Sequence, residues 1–142
     1  MVVQPIERSS GLYDPELEAM SADRRRAYHA ERLRAAVKHA YNHSPHFRRR
    51  MEDADLTPAA IAQVHDLARL PVLKKSTLPQ LQKQDPPFGG LLAAPLSEVS
   101  RIFQSPGPLY EPEGRGPDYW RMARAFYAGG FRPGDLVQVT FA

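Results

Sequence analysis

Apolar positions in the first third of the chain follow the repeat of an amphipathic helix. The spacing i, i+3, i+4, i+7, i+8 relates Leu33, Ala36, Val37, Ala40 and Tyr41. Ser21 is a suitable N-cap for this helix. The helix should end near residues 42–44, because the residue before Pro45 disfavours the α region. This is the longest helix that the pattern predicts.

Shorter helical segments should lie on either side of it. Asp14-Pro15, followed by acidic residues, predicts a single helical turn. Residues 45–51 predict a short helix with Phe47 and Met51 on one face.

A further helix is predicted after Thr57-Pro58, a start signal in which an N-cap precedes proline at the first helical position. Its apolar stripe ends at Pro71 and consists of Ile61, Val64, Leu67 and Leu70. Five prolines interrupt residues 71–98, so we expect short turns and loops there.

The last third of the chain changes from helical to strand-like patterning. Residues 99–104 predict a strand, and Ser105-Pro106-Gly107-Pro108 must then be a loop. Asp118 begins a predicted helix that Gly129-Gly130 ends. Residues 136–141 predict a second strand, which completes one βαβ unit with a parallel pair and a right-handed crossover.

These elements predict an α/β fold that is incomplete. Residues 1–98 form a mostly helical region, and residues 99–142 form a strand–loop–helix–strand region. A parallel strand is normally covered on both faces, yet nothing follows the last predicted strand. We therefore expect a fragment, a proteolytic remnant or a chain that a partner completes. The edge formed by residues 136–141 predicts self-association.

Composition narrows the possible functions. The chain of 142 residues contains no cysteine, which excludes disulfides, thiolate metal sites and cysteine nucleophiles. No apolar run approaches the roughly 20 residues that span a bilayer, and no signal peptide is recognisable. These features predict a cytoplasmic protein without a membrane partner. The 14 prolines are the compositional outlier.

Positive charge is concentrated between Arg24 and Arg50. This stretch holds nine basic residues and one acidic residue, Glu31. Such a cluster can attract nucleic acid or an anionic membrane. The interpretation that we favour is a solvated helix face whose long side chains cover apolar surface, because few aromatic residues are available to stack on bases. Nucleic acid is therefore not an expected partner.

Two polar clusters contain residue types found in ligand sites. His39 and His43 have the i, i+4 spacing of a metal chelate, but a third ligand is missing and cations surround them. The favoured interpretation is a coincidence on a polar helix face, and no metal is expected. The run Lys74-Lys75-Ser76-Thr77 has the residue types to bind an anion, but the favoured interpretation is a solvated loop.

The loop after the first predicted strand occupies the position where α/β proteins bind phosphate. Ser105 and Gly107 provide part of the necessary chemistry. Three prolines, at positions 106, 108 and 112, remove backbone N–H donors from the same stretch. The location of this loop therefore favours phosphate binding, but its residue types do not.

Several segments, taken in order, resemble the phenylacetate–coenzyme A ligase branch of the adenylate-forming enzymes. The similarity extends from about Tyr13 to Phe141 and corresponds to the N-terminal part of that family. The segments concerned are residues 13–21, Arg32-Leu33, residues 37–41, residues 66–71, Pro87-Phe88-Gly89, Arg101-Ile102 and residues 130–135. The last of these, GFRPGD, is similar to the family's "GvrpGD".

This resemblance implies ATP-dependent activation of an aryl acid to an acyl-adenylate, followed by transfer to coenzyme A. ATP, magnesium and coenzyme A are thus the cofactors expected of a full-length parent protein. Ser105, Gly107 and Pro112 match the first serine, first glycine and last proline of the family's Ser/Thr/Gly phosphate loop. The other loop positions differ, and Glu111 adds a negative charge. We predict that this chain is inactive alone, or serves as a non-catalytic module derived from the scaffold.

Overall fold

The computed structural model describes residues 7–138, which divide into two units. The central unit is Ala22–Gly116, and the terminal unit joins residues 7–21 to residues 117–138. The boundary predicted at residue 98 falls inside the central unit. The ends of the described chain therefore belong to one unit, which the central unit interrupts in sequence.

The described residues form mainly helices with one small sheet. The α-helices are α1 (Pro15–Glu18), α2 (Ala22–His43), α3 (Pro45–Glu52), α4 (Leu78–Gln84) and α5 (Ala123–Ala128). The strands are β1 (Val99–Gln104) and β2 (Tyr110–Gly114). Short 3₁₀ segments occur at Pro58–Ala60, Val64–Arg69, Lys75–Thr77 and Leu96–Glu98. None of the helices within residues 7–138 is both long and apolar enough to cross a membrane.

The three helices predicted at the start of the chain are confirmed. Asp14 caps α1 by accepting a hydrogen bond from the Leu17 N–H at 3.0 Å. Helix α2 ends at His43, as the proline two residues later predicts. Ser44 then caps α3 by accepting from the Phe47 N–H, and its hydroxyl donates to the Gly90 carbonyl at 2.9 Å. Ser44 is buried. Its side chain therefore caps a helix and also bonds to a loop that is distant in sequence.

The core of the central unit forms where α2, α3 and the following turns meet. Four buried residues constitute it: Val37, Met51, Leu56 and Ile61. The side chains that pack around them include Leu33, Tyr41, Phe47 and Leu70. The amphipathic pattern of α2 thus places its apolar face on this core, as predicted.

The prediction of a helix after Pro58 is wrong, because the segment forms two 3₁₀ turns. Ile61 is buried in the core, but Val64 and Leu67 are exposed. The Asp66 carboxylate accepts from the backbone N–H groups of Ala62 and Gln63, at 3.0 and 2.8 Å. These bonds lower the pKa of Asp66 and tighten the chain into a turn where a helix would have continued.

The parallel strand pair predicted around the helix does not occur within residues 7–138. Strand β1 pairs instead with β2 in an antiparallel hairpin, in which Phe103 faces Glu111. Only residues 105–109 separate the two strands, too few for a parallel crossover. The predicted second strand is irregular at residues 136–138, and its remainder lies outside the described residues.

The last helix starts later than predicted, at Ala123 instead of Asp118. Asp118 and Arg121 have φ values of 51° and 58°, in the left-handed region, so the chain cannot be helical there. The Asp118 carboxylate accepts from the N–H groups of Met122 and Ala123, at 2.7 and 2.8 Å. It therefore caps α5 from outside the helix.

Arg132 and Asp135 hold the terminal unit together. The Arg132 guanidinium donates to the carbonyl oxygens of Glu7, Ser10, Tyr127 and Phe131, and stacks over the Tyr127 ring at 3.8 Å. Asp135 forms a two-point ion pair with Arg8, each N···O distance being 2.6 Å. The segment GFRPGD thus binds the residues that precede α1.

The Asp135 carboxyl should make the stability of the terminal unit depend on pH. The hydrogen bonds from Arg8, and then that from the Arg132 N–H, lower the pKa of Asp135 from 3.8 to about 2. The ionised form is favoured by folding, so its stabilising effect is present above about pH 4 and disappears as pH falls to about 2.

We expect the Asp135→Asn variant to lose part of the wild-type pH dependence in this range. The fluorescence of Trp120, the single tryptophan of the chain, reports unfolding of the terminal unit. Arg8→Met should also weaken the pH dependence, because it removes the principal cause of the low pKa of Asp135. An unchanged pH profile in Asp135→Asn would contradict the assignment.

Candidate functional site

The candidate site is the turn between β1 and β2, at the position where the sequence predicts a phosphate-binding loop. The Ser105 N–H donates to the Leu109 carbonyl at 3.0 Å and closes the turn. Two prolines in the turn restrict its backbone. The predicted open loop is therefore the tip of a hairpin.

A glutamine side chain fixes the exit of this turn. Gln82, on α4, accepts from the Tyr110 N–H through its Oε1 at 2.9 Å and donates through its Nε2 to the Tyr110 carbonyl at 2.8 Å. Gln82 is buried, and so is Leu109, the residue before Tyr110. The amide of Gln82 thus bonds to Tyr110 as the backbone of a neighbouring strand would.

The structure brings two of the three predicted site residues together. Ser105 and Gly107 lie in the same turn, whereas Pro112 lies within β2, opposite Ile102. A side chain added at Gly107 would meet no atom within 4 Å, so nothing in the described residues approaches that backbone closely. Their binding role stays a prediction.

The turn offers few donors to an anion. The N–H groups of Ser105 and Tyr110 are already bonded, and prolines 106, 108 and 112 have none. Glu111 is exposed and faces Phe103 on β1. The adjacent ion pair, Arg101 with Glu113 at 3.7 Å, links the two strands of the hairpin. These residues suit a preformed structural hairpin better than a cradle for several phosphate oxygens.

The histidine pair on α2 is used in local structure. The rings of His39 and His43 stack with centroids 4.4 Å apart. His39 Nε2 lies 2.8 Å from the Ala93 carbonyl, and His43 Nδ1 lies 2.8 Å from the His39 carbonyl. Among the described residues no group of three or more metal-ligating side chains comes together.

Several of the clustered cations also have structural partners. Arg48 donates to the carbonyls of Tyr41 and Asn42 at the end of α2, where a cation interacts favourably with the helix dipole. Arg34 donates to the Ala62 carbonyl, and Arg26 pairs with Asp23. These contacts support the interpretation of the basic stretch as a helix surface.

The Lys74–Thr77 run shows no capping geometry for an anion. The Thr77 hydroxyl donates to the Lys74 carbonyl at 2.7 Å, and no side chain caps the start of α4. The solvated-loop interpretation is the simpler one.

Sequence reasoning missed Gln82 and the Arg132–Asp135 contacts. A glutamine in a short helix carries no signal that its amide reaches a strand 28 residues away. The GFRPGD segment is recognisable in the sequence only as a motif, because its contacts join residues more than 120 positions apart.

No family model matches the chain. The chain is nevertheless similar in sequence to several phenylacetate–coenzyme A ligases. The chain is 34% identical to the enzyme of Thermus thermophilus over 139 residues, 33% identical to that of Aromatoleum evansii over 140, and 34% identical to that of Pseudomonas putida over 137. These matches cover 92–94% of this chain but only 30% of each relative.

Solved structures agree with these relatives. A 2-hydroxyisobutyryl-CoA ligase bound to 2-HIB-AMP and CoA, in its thioesterification state, matches 93% of this chain at 31% identity with a TM-score of 0.77. The same ligase in its postadenylation state matches 82% at 33% identity with a TM-score of 0.72. The chain covers 29% and 26% of these structures. It is therefore a homologue of part of the acid–CoA ligases and shares the fold of a piece of their N-terminal domain.

Proposed function

We propose that this chain contributes the N-terminal part of a protein of the acid–coenzyme A ligase type. The parent reaction would convert a carboxylic acid and ATP into an acyl-adenylate, and then transfer the acyl group to coenzyme A. The observation that supports this proposal is the agreement of sequence and structure along more than nine-tenths of the chain with such ligases. The chain spans about three-tenths of their length, so the parent activity belongs to a longer polypeptide.

The hairpin of this chain does not fit the polyphosphate of ATP. Two of its backbone N–H groups are bonded within the fold, three positions are proline, and Glu111 is exposed beside the turn. Gln82 also prevents the exit of the turn from moving freely. We therefore assign no catalytic role to these residues. We propose that the chain alone binds neither ATP nor magnesium and forms no adenylate.

An exchange assay tests this proposal directly. The chain is incubated with ATP, labelled pyrophosphate and a panel of aryl and short aliphatic acids, and the full-length Thermus thermophilus ligase serves as the positive control. We expect no acid-dependent exchange and no heat of ATP binding from the chain. Acid-dependent label in ATP above the background without acid would contradict the proposed inactivity.

A second candidate is a non-catalytic module that keeps the scaffold. The locked hairpin favours this alternative, since a mobile glycine-rich loop would be expected of an active phosphate site. The two candidates predict different activities for a longer protein that carries the same hairpin. Formation of an acyl-adenylate by that protein would support the ligase, whereas normal folding without ATP affinity would support the module. Its partner would then be the remainder of that protein, and a cytoplasmic location stays a prediction.

A further inference from the structure

The start of α3 is joined to the loop that follows α4. The Gly90 carbonyl in this loop accepts two hydrogen bonds, from the Ser44 hydroxyl at 2.9 Å and from the His46 N–H at 3.0 Å. We call these two bonds the Gly90 contact. The preceding loop residues, Phe88 and Gly89, are buried. Ser44 and Gly90 are 46 positions apart, so the contact connects distant segments of the central unit.

The imidazole of His46 has one buried nitrogen. This atom, Nε2, has no hydrogen-bond partner within residues 7–138. The same residues already cover it, so bulk water and any further segment of polypeptide are kept from it in the folded unit. A neutral imidazole can leave Nε2 unprotonated and carry its proton on Nδ1. A protonated imidazole would instead have a charged donor at Nε2 without an acceptor, which costs free energy.

The charges on α3 also oppose protonation of His46. The helix begins one residue earlier, at Pro45, and its N-terminal end carries partial positive charge. Burial, and then the charges of Arg50 and Arg49, lower the pKa of the His46 imidazole below its usual value of 6.5. Folding therefore favours the neutral form. Its stabilising effect is complete above about pH 6.5 and is lost as pH falls below this value.

The neighbouring elements do not neutralise this charge. On the loop, the Asp85 carboxylate lies beside Gly90, where an added Cβ would be 3.1 Å from its Oδ2, but it does not bond to Nε2 of His46. The same Cβ would be 3.6 Å from Nη2 of Arg49, so a guanidinium lies beside Gly90 as well. On α2, the last residue is His43, whose Nδ1 lies 2.8 Å from a carbonyl of its own helix. A proton on His46 therefore adds positive charge to a junction that already holds a cation.

We propose that protonation of His46 opens the Gly90 contact and makes this part of the central unit sensitive to mild acid. A protonated ring is stabilised by reaching water, and it reaches water when the first turn of α3 separates from the loop. The hydrogen bonds from Ser44 and His46 to Gly90 are lost in this opening. Met51, at the other end of α3, stays buried in the core. The opening is therefore local, and it goes beyond the proposed function because it involves no residue of the hairpin.

Amide hydrogen exchange, followed residue by residue by NMR from about pH 7 to about pH 5.5, tests the opening above the range where most carboxyl groups titrate. After correction for the intrinsic rate at each pH, we expect protection of the His46 amide to fall about threefold to tenfold. Uptake of one proton changes an opening equilibrium by at most about tenfold per pH unit. The Leu56 amide, bonded to the Met51 carbonyl at 2.8 Å, should keep its protection. Constant protection at His46, or an equal loss at Leu56, would overturn the proposal.

Two phenylalanine substitutions distinguish His46 from the other histidines. His46→Phe keeps a ring and the backbone N–H but cannot be protonated, so protection at this amide should no longer depend on pH. His29→Phe is the matched control, because His29 is exposed on α2, and it should keep the wild-type pH dependence at His46. A pH dependence that persists in His46→Phe would contradict the role of this residue. The wild-type profile remains decisive if that variant does not fold, and the pyrophosphate assay tests the proposed function separately.

Discussion

We expect Met51→Ala to lower the free energy of unfolding of the central unit by about 2–5 kcal/mol. Met51 has no solvent exposure and packs against Val37, Leu56 and Ile61. Its removal leaves a cavity where α2, α3 and the following turn meet, and a core of four residues has little capacity to collapse around it. This is the largest effect of a single substitution that we predict.

The measurement is urea unfolding followed by far-ultraviolet circular dichroism, which reports mainly the long helix of the central unit. Met122→Ala is the matched control, because this methionine lies in the terminal unit with 46% of its surface exposed. It should change stability by less than about 0.5 kcal/mol. A loss below about 1 kcal/mol in Met51→Ala would contradict the view that this cluster is the core of the unit.

The second large effect concerns the hairpin. We expect Gln82→Leu to increase amide hydrogen exchange at Tyr110 by about tenfold to a hundredfold. The substitution removes two partly buried hydrogen bonds from the Tyr110 N–H and C=O, and each such bond contributes about 0.5–1.5 kcal/mol. Because exchange follows the local opening free energy, the loss should appear at the hairpin before it appears in global stability.

Gln84→Leu is the control for this experiment. Gln84 lies on the same helix, is exposed, and undergoes the same change of side chain. We expect wild-type exchange at Tyr110 in that variant. Unaltered exchange in Gln82→Leu would show that the buried Leu109, and not the glutamine, holds the turn in place.

Local rules were sufficient to predict the start of the fold. The start signal at Asp14-Pro15 and the proline after α2 act within three or four residues, so their effect can be read directly, whereas the cap at Ser44 was not predicted. The apolar face of α2 was predicted correctly for the same reason. The segment after Pro58 shows the limit of the method, since the stripe of Val64 and Leu67 had helical spacing but the Asp66 turn prevailed.

The candidate site could be located from the sequence but its shape could not. Pro112 and two glutamates give residues 110–114 a poor strand propensity, and so β2 was not predicted. The segment is a strand because β1 pairs on one side and Gln82 bonds on the other. Tertiary contacts of this kind have no periodic signal, and the loop was therefore expected to be open.

The contacts of Arg132 and Asp135 determine when the terminal unit can form during synthesis. The ion pair with Arg8 spans 127 positions, and the bond to Ser10 spans 122. All residues of the central unit are available once residue 116 has left the ribosome. The ion pair of Arg8 with Asp135 can form only after residue 135 has been synthesised. Vectorial synthesis thus imposes an order in which the central unit folds before the residues that precede α1 can dock.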